Sequence, residues 1–141
     1  MKFWDTSAIV PLCLVEPATP RVRPIAEGDA SLVVWWATRT ECVSGFARLR
    51  RERKLPAATV VRAGRALMAL SREWSEVLPG DGLRTRAERL LAVHPLRAAD
   101  AFQLAAALVW SRGETRLHAL VSLDDRLREA AEREGFQVLP G

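Results

Sequence analysis

Short apolar runs alternate along the chain with longer segments in which apolar residues recur every three or four positions. The short runs predict four strands and a weaker fifth. The predicted strands are residues 2–5, 31–36, 119–123 and 136–139, with 75–79 as the weaker candidate. Because buried parallel strands are short and apolar along their whole length, these runs favour a parallel sheet.

Helical periodicity fills most of the chain between these strands. The predicted helices are residues 38–53, 57–74, 82–93, 97–111 and 124–134. The fourth of these helices is almost entirely apolar and should be buried, whereas the last is amphipathic and ends at Gly135, a common C-terminal stop signal. The alternation of strands and helices predicts an α/β fold with a parallel sheet and right-handed crossovers.

The composition is that of a globular protein. The chain has 141 residues, of which 49% are hydrophobic and 27% charged, and this size can build one core as a single domain over 1–141. No apolar run is long enough to cross a bilayer, and Asp5 interrupts the apolar start, which argues against a secretory signal. Cys13 and Cys42 have neither metal-ligand nor redox spacing, so we expect buried thiols in a cytoplasmic protein.

The charge balance is basic and depends on arginine. The formal net charge is +4, the pI is about 10.0, and all but two of the 21 basic residues are arginines. Guanidinium groups bind phosphate in a bidentate manner, so this composition fits a phosphate-rich partner. A genome rich in arginine codons would produce the same excess, and the charge alone does not separate the two explanations.

Four carboxylates stand at or just before the starts of predicted helices. Asp5 ends the first strand, Glu41 opens the helix after the second, Asp100 lies in the first turn of the buried helix, and Asp124 follows the strand 119–123. In parallel α/β sheets the functional crevice forms at the carboxyl ends of the strands. We therefore expect these acids at one edge of the sheet.

Each acid also has a purely structural interpretation. Asp5 and Asp124 have the position of helix N-caps, Thr38 and Glu41 have the spacing of a capping box, and Asp100 would favour the positive end of its helix. A carboxylate in the strongly apolar segment around Asp100 is nevertheless costly unless its charge is compensated. A divalent cation would compensate several acids at once, and oxygen ligands alone suit Mg²⁺ or Mn²⁺.

Four segments of the chain contain these acids: "FWDTSAIVPLCLVEP", "TRTECVSGFARLRR", "LRAADAFQLAAAL" and "LVSLDDRLREAAEREGFQVL". Together they resemble the signature segments of PIN-domain proteins, and most closely those of the small VapC-type toxins of toxin–antitoxin pairs. The resemblance covers essentially the whole chain. It implies a three-layer α/β/α sandwich with a central parallel sheet of four to five strands. It also implies an endoribonuclease that depends on Mg²⁺ or Mn²⁺ and leaves a 5′-phosphate and a 3′-hydroxyl.

The resemblance carries the family's catalytic acids over to Asp5, Glu41, Asp100 and Asp124. Asp5, Asp100 and Asp124 would hold metal directly, whereas Glu41 would either hold metal or orient the attacking water. Asp125 is the alternative fourth acid, although the spacing from the preceding strand favours Asp124. The sequence does not decide between one metal ion and two.

Hydroxyl and basic side chains near these acids have implied supporting roles. Thr6 or Ser7 matches the family's hydroxyl beside the first acid, and Ser122 matches the one before the last; such donors would fix the carboxylates. In the basic run "RLRRERK", the candidate contacts to an RNA backbone are Arg48, Arg50 and Arg51. A solvated helix face with internal ion pairs is the alternative for this run.

Two adjacent tryptophans, Trp35 and Trp36, follow the second predicted strand. They would either stack on a base or belong to the core, and we expect at least one of them in the core. The family also implies a cognate antitoxin, an amphipathic segment of which would lie in an apolar groove, and a homodimer with tryptophans at helix surfaces as candidate contacts.

Other protein classes fit less well. A phosphate-accepting receiver domain needs an acid pair after the first strand and a late lysine, and the only lysines are Lys2 and Lys54. A haloacid-dehalogenase phosphatase needs Asp-x-Asp, but position 7 is Ser7. A PIN nuclease that processes RNA outside a toxin system, and a PIN fold that binds RNA or protein without cutting, are the remaining alternatives. The presence of all four acids argues against the second of these.

Overall fold

The five strands form one sheet in which every neighbouring pair is parallel. The structure is a computed structural model that describes residues 1–141. The strands are β1 (Lys2–Trp4), β2 (Leu32–Trp35), β3 (Ser75–Val77), β4 (Ala119–Val121) and β5 (Gln137–Leu139), in the order β3-β2-β1-β4-β5. The predicted parallel sheet is confirmed, including its fifth strand, although each strand is shorter than the apolar run that predicted it.

Seven α-helices connect the strands. They are α1 (Thr6–Cys13), α2 (Thr19–Glu27), α3 (Thr38–Arg51), α4 (Ala57–Ser71), α5 (Asp81–Val93), α6 (Ala98–Trp110) and α7 (Asp125–Arg133). The five helices predicted from periodicity are present with boundaries that differ by up to three residues. The sequence pattern missed α2 because Pro20 and Pro24 interrupt it. Pro20 is tolerated in the first turn, where backbone donors have no partner inside the helix.

The sheet separates two hydrophobic clusters, one on each face. Phe3 and Val33 pack into the cluster beneath α5, α6 and α7, whereas their neighbours Trp4 and Val34 pack into the cluster beneath α1 to α4. Successive side chains of a strand point to opposite faces, so a sheet covered on both faces needs apolar residues at every position. The fold is the three-layer α/β/α sandwich that the sequence predicted.

A buried acid holds the start of β1 in place. Asp29 lies in the turn before β2, and its Oδ2 accepts hydrogen bonds from the Trp4 Nε1 at 2.9 Å and from the Lys2 backbone N–H at 3.1 Å. This contact fixes the strand that directly precedes Asp5.

The two cysteines are free thiols in different environments. Cys42 is buried as predicted, whereas Cys13 is only half-buried. Burial raises the pKa of Cys13 to about 11 and raises the pKa of Cys42 further. Neither thiol is therefore activated as a nucleophile.

None of the helices combines the length and apolar character needed to cross a membrane.

Candidate active site

The four predicted catalytic acids lie at helix N-termini along the carboxyl edge of the sheet. Asp5 is the N-cap of α1 and Asp124 is the N-cap of α7, whereas Glu41 and Asp100 lie in the first turns of α3 and α6. All four line one pocket of about 400 Å³. The structure thus brings together the residues that the sequence placed at strand ends and helix starts.

Asp5 is the most buried of the four acids, with 4% of its surface exposed. Its Oδ2 accepts hydrogen bonds from the Ser7 backbone N–H at 3.1 Å, from the Ser7 hydroxyl, and from the Ser122 hydroxyl at 3.0 Å. These bonds all go to Oδ2, which leaves Oδ1 for another ligand. Burial raises the pKa of Asp5 to about 6, although the bonds from Ser7 and Ser122 oppose that rise.

Glu41 is held by a different set of side chains. Its Oε2 accepts hydrogen bonds from the Thr6 hydroxyl at 2.6 Å and from the Gln103 Nε2 at 3.0 Å. Of the two hydroxyls that follow Asp5 in sequence, Ser7 therefore contacts Asp5 and Thr6 contacts Glu41. The capping box considered for Thr38 and Glu41 is absent. No side chain caps α3, and the Thr38 hydroxyl instead accepts from Gln103 at 3.1 Å.

Gln103 is a site residue that the sequence analysis missed. It is only 1% exposed, and its Nε2 lies within hydrogen-bonding distance of Thr6, Thr38 and Glu41, whereas its buried Oε1 has no partner. It stands three residues after Asp100, so both side chains lie on the same face of α6. The sequence could have indicated this residue, because Gln103 is the lone amide in an apolar helix and a buried polar group needs a hydrogen-bond partner.

Asp100 and Asp124 face each other across the starts of two helices. The Asp100 Oδ2 accepts from the Arg97 backbone N–H at 3.3 Å, and the Asp124 Oδ1 accepts from the Leu127 backbone N–H at 2.9 Å. Burial raises the pKa of Asp100, and the negative charge of Asp124 raises it further. Asp124 therefore caps its helix and lines the acid pocket at the same time.

Asp125 has a different environment from Asp124. It is exposed, and it lines an adjoining depression together with Asp100, Asp124 and two arginines. Of the two adjacent acids, only Asp124 also lines the pocket that Asp5 and Glu41 line.

The acid pocket suits a hydrated cation better than a closed metal cage. No three of its carboxylates approach closely enough to enclose one ion. Mg²⁺ keeps several of its waters and usually binds through one or two carboxylates plus substrate phosphates, so widely spaced oxygen donors fit it. The Asp5 Oδ1 and the carboxylates of Asp100 and Asp124 supply such donors.

A fifth acid, Glu16, also lines this pocket, and burial raises its pKa. The sequence analysis missed this residue.

One face of α3 lines the pocket from Glu41 to Arg48. Ser44 and Gly45 lie between them, and a Cβ added at Gly45 would meet no atom within 4 Å. Packing within the protein therefore does not require a glycine there, although glycine weakens a helix interior. Arg48 is the one basic side chain that lines this pocket, and the other two candidate arginines of α3 lie outside it.

Comparisons with known proteins agree with this architecture. The sequence matches the PIN domain family over residues 2–133, and no curated protein matches the chain. A toxin-antitoxin complex from Klebsiella pneumoniae has a chain of similar fold, with a TM-score of 0.63 and 17% identity, covering 88% of this chain and 87% of that chain. FitAcB from Neisseria gonorrhoeae is also similar, with a TM-score of 0.68 and 16% identity, covering 99% of this chain and 97% of that chain. At such identities the two structures support the fold, and the family match extends over nearly the whole sequence. The chain belongs to the PIN-domain family.

Proposed function

We propose that this protein is a Mg²⁺- or Mn²⁺-dependent endoribonuclease and the toxin of a type II toxin–antitoxin pair. PIN domains are generally nucleases, and hydrolysis of phosphodiester bonds is the activity that the site supports best. The observation that carries the proposal is the single pocket lined by Asp5, Glu41, Asp100 and Asp124. The likeness to a toxin-antitoxin complex supports the toxin role.

Three of the acids would hold the hydrated cation, partly through its bound waters, since no three carboxylates enclose one ion directly. Asp5 is fixed by Ser7 and Ser122 so that its Oδ1 is available, while Asp100 and Asp124 present carboxylates to the same pocket. A bound Mg²⁺ or Mn²⁺ would lower the pKa of a water and polarise a phosphate oxygen. Hydrogen bonds to the carboxylates keep them oriented in its absence.

Glu41 is placed to orient the attacking water. Its Oε2 is occupied by Thr6 and Gln103, so its Oε1 can accept a hydrogen bond from that water. Arg48 stands two turns further along the same helix face, where its guanidinium can pair with a neighbouring phosphate. The role proposed for α3 is thus to hold the substrate and direct the water.

Cleavage should depend on a divalent cation and on Asp124 rather than Asp125. We expect purified protein to cut total cellular RNA with Mg²⁺ or Mn²⁺, to leave 5′-phosphate ends, and to lose the activity in EDTA. Asp124→Asn should lower the rate by about 100-fold or more, since it removes a charged ligand. Asp125→Asn is the matched control, because its side chain lies outside the acid pocket, and it should cut at the wild-type rate. Cleavage that persists in EDTA, or equal loss in both variants, would contradict the proposed site.

The proposed antitoxin would bind an apolar groove between α3 and α4. Val43, Val61 and Met68 are each about half exposed there, and Arg65 and Arg72 border them. Such a surface suits an amphipathic segment with acidic residues beside its apolar face. Charged substitution within the groove, as in Met68→Glu, should therefore release the antitoxin.

The partners can be tested by expressing the protein with the product of the neighbouring gene. The two should co-purify, and Met68→Glu should abolish the complex while RNA cleavage by the free protein persists. Val93→Glu, an exposed change on α5, is the control that should retain the complex. The proposed homodimer is checked by the molecular mass of the protein alone, and a monomer at micromolar concentration would exclude it.

A further inference from the structure

Trp36 exposes a large aromatic surface that the core does not use. It is the first residue after β2, and 53% of its surface is exposed. Trp35, by contrast, is buried, as expected for at least one of the pair, and stacks on Phe102 with ring centroids 5.7 Å apart and planes 3° apart. Trp36 meets Trp35 edge to face, with centroids 6.5 Å apart. The exposed indole therefore lies against the buried stack.

An aromatic cleft lies against this indole, with a volume of about 390 Å³. Its apolar and aromatic lining consists of Trp35, Trp36, Pro79, Leu83 and Phe102. Arg84 stands at its rim, paired with Asp81 at 2.8 Å. A flat ring with apolar faces and polar edges, such as a nucleobase, fits a cleft with aromatic walls and a polar rim.

The aromatic cleft and the acid pocket both lie at the carboxyl edge of the sheet, although no residue lines both. Phe102 lines the cleft, and the next residue, Gln103, donates to Thr38 at 3.1 Å behind the acid pocket. Trp36 and Thr38 flank the start of α3, the helix that carries Glu41. The segment that carries Trp36 thus leads directly into the helix that carries Glu41. An RNA strand with a phosphate at the acids can therefore bring a nearby base to Trp36.

We propose that Trp36 and the aromatic cleft bind an unpaired base of the RNA beside the cleavage site. This inference rests on the proposed nuclease function. Every base has a π-face, so stacking on Trp36 selects unpaired RNA without fixing its sequence. The position of Trp36 at the same sheet edge as the acids and the basic charge of the chain favour RNA over a protein partner at this surface.

The test measures the binding of single-stranded RNA oligonucleotides to protein that also carries Asp5→Asn, so that the RNA stays intact. Trp36→Ala should weaken binding by about 5- to 100-fold, the range expected for loss of one stacked base, whereas Trp36→Phe should retain most of the affinity. Leu117→Ala, a change at an even more exposed apolar residue before β4, is the control and should have no effect. Because Trp36 is exposed, the melting temperature should change little.

Oligonucleotides that lack one base at a time locate the contact. At one position, removal of the base should weaken binding to the protein that keeps Trp36 by the same factor as the Trp36→Ala substitution does. The Trp36→Ala variant should bind this abasic oligonucleotide as tightly as it binds the intact one. The inference would be overturned if the Trp36→Ala variant and the protein that keeps Trp36 bound intact RNA equally tightly. It would also be overturned if every abasic oligonucleotide lost the same amount of affinity. A change in molecular mass with unchanged RNA affinity would instead assign the surface to a second copy of the chain.

The outcome for Trp36 is separable from that for the nuclease. If the wild type cuts RNA and Trp36→Ala both binds and cuts it equally well, only the base site is wrong. If the wild type neither binds nor cuts RNA, the proposed function fails and the base site fails with it.

Discussion

Asp5→Asn is expected to abolish RNA cleavage while leaving the protein folded. The substitution keeps the shape of the side chain but replaces a charged metal ligand with a neutral amide. We expect the cleavage rate to fall by about a thousandfold, equivalent to about 4 kcal/mol of lost transition-state stabilisation. Asparagine still accepts hydrogen bonds through its carbonyl oxygen, so Ser7 and Ser122 keep a partner. Retention of cleavage would contradict the assignment of Asp5.

The same substitution should raise the stability of the metal-free protein. Burial raises the pKa of Asp5 from 3.8 to about 6, so above pH 6 the folded state carries a buried charge that the unfolded state solvates freely. As the pH falls from about 7 to 4, the folded state takes up a proton before the unfolded state does, and this contribution to stability increases. At pH 8, Asp5→Asn should therefore gain up to about 3 kcal/mol.

Urea denaturation in EDTA at pH 5 and pH 8 measures this effect. Other groups titrate in the same range, so the relevant quantity is the difference in unfolding free energy between wild type and Asp5→Asn at each pH. That difference should be larger at pH 8. An equal difference at both pH values would show that Asp5 is not strained by its burial.

Gln103→Leu is expected to lower kcat/KM by about 10- to 100-fold, because Gln103 holds Glu41 rather than touching substrate itself. Leucine has a similar size but cannot donate to Thr6, Thr38 or Glu41. Leaving these groups without their donor should also cost about 1–3 kcal/mol of stability. The unpaired Oε1 of Gln103 disappears in the variant, which offsets part of that cost.

A second buried polar residue, the C-cap of α6, separates the two effects. Ser111 donates only to the carbonyl of Leu108 in the last turn of that helix, so Ser111→Ala should reduce stability without disturbing the acids. Steady-state cleavage should be measured under conditions in which denaturation curves show that both variants are folded. Under these conditions kcat/KM should fall in Gln103→Leu and remain unchanged in Ser111→Ala. Equal activity in the two variants would remove Gln103 from the site.

The acids could be predicted from the sequence because topology determines where they lie. Once the alternating pattern predicts a parallel sheet, an acid at the end of a strand, such as Asp5, or at the start of the following helix, such as Glu41, must lie at the carboxyl edge. Asp100 could be predicted because a charge in an apolar segment needs compensation. In each case the local sequence carries the information.

The supporting contacts depend on packing between distant segments and could not be predicted in the same way. Gln103 reaches Glu41 across 62 positions of the chain, and Thr6 reaches it across 35. Neither spacing follows from a helical or strand period. Glu16 lies in an irregular segment after α1, where no period predicts the direction of a side chain. Pairing of hydroxyls with acids likewise depends on the exact placement of α1 against α3.

The placement of all four acids at helix N-termini has a consequence for the order in which the enzyme matures. The partial positive charge at each N-terminus favours a nearby carboxylate by about 0.3–1 kcal/mol, so the peptide dipoles partly offset the repulsion among the acids. The chain can then fold before it meets a cation, unlike a zinc finger, whose folding requires its metal. Under the proposed function, synthesis of the toxin and its activation by a cation would be separate events, and an antitoxin made alongside it would capture the folded protein before it cuts RNA.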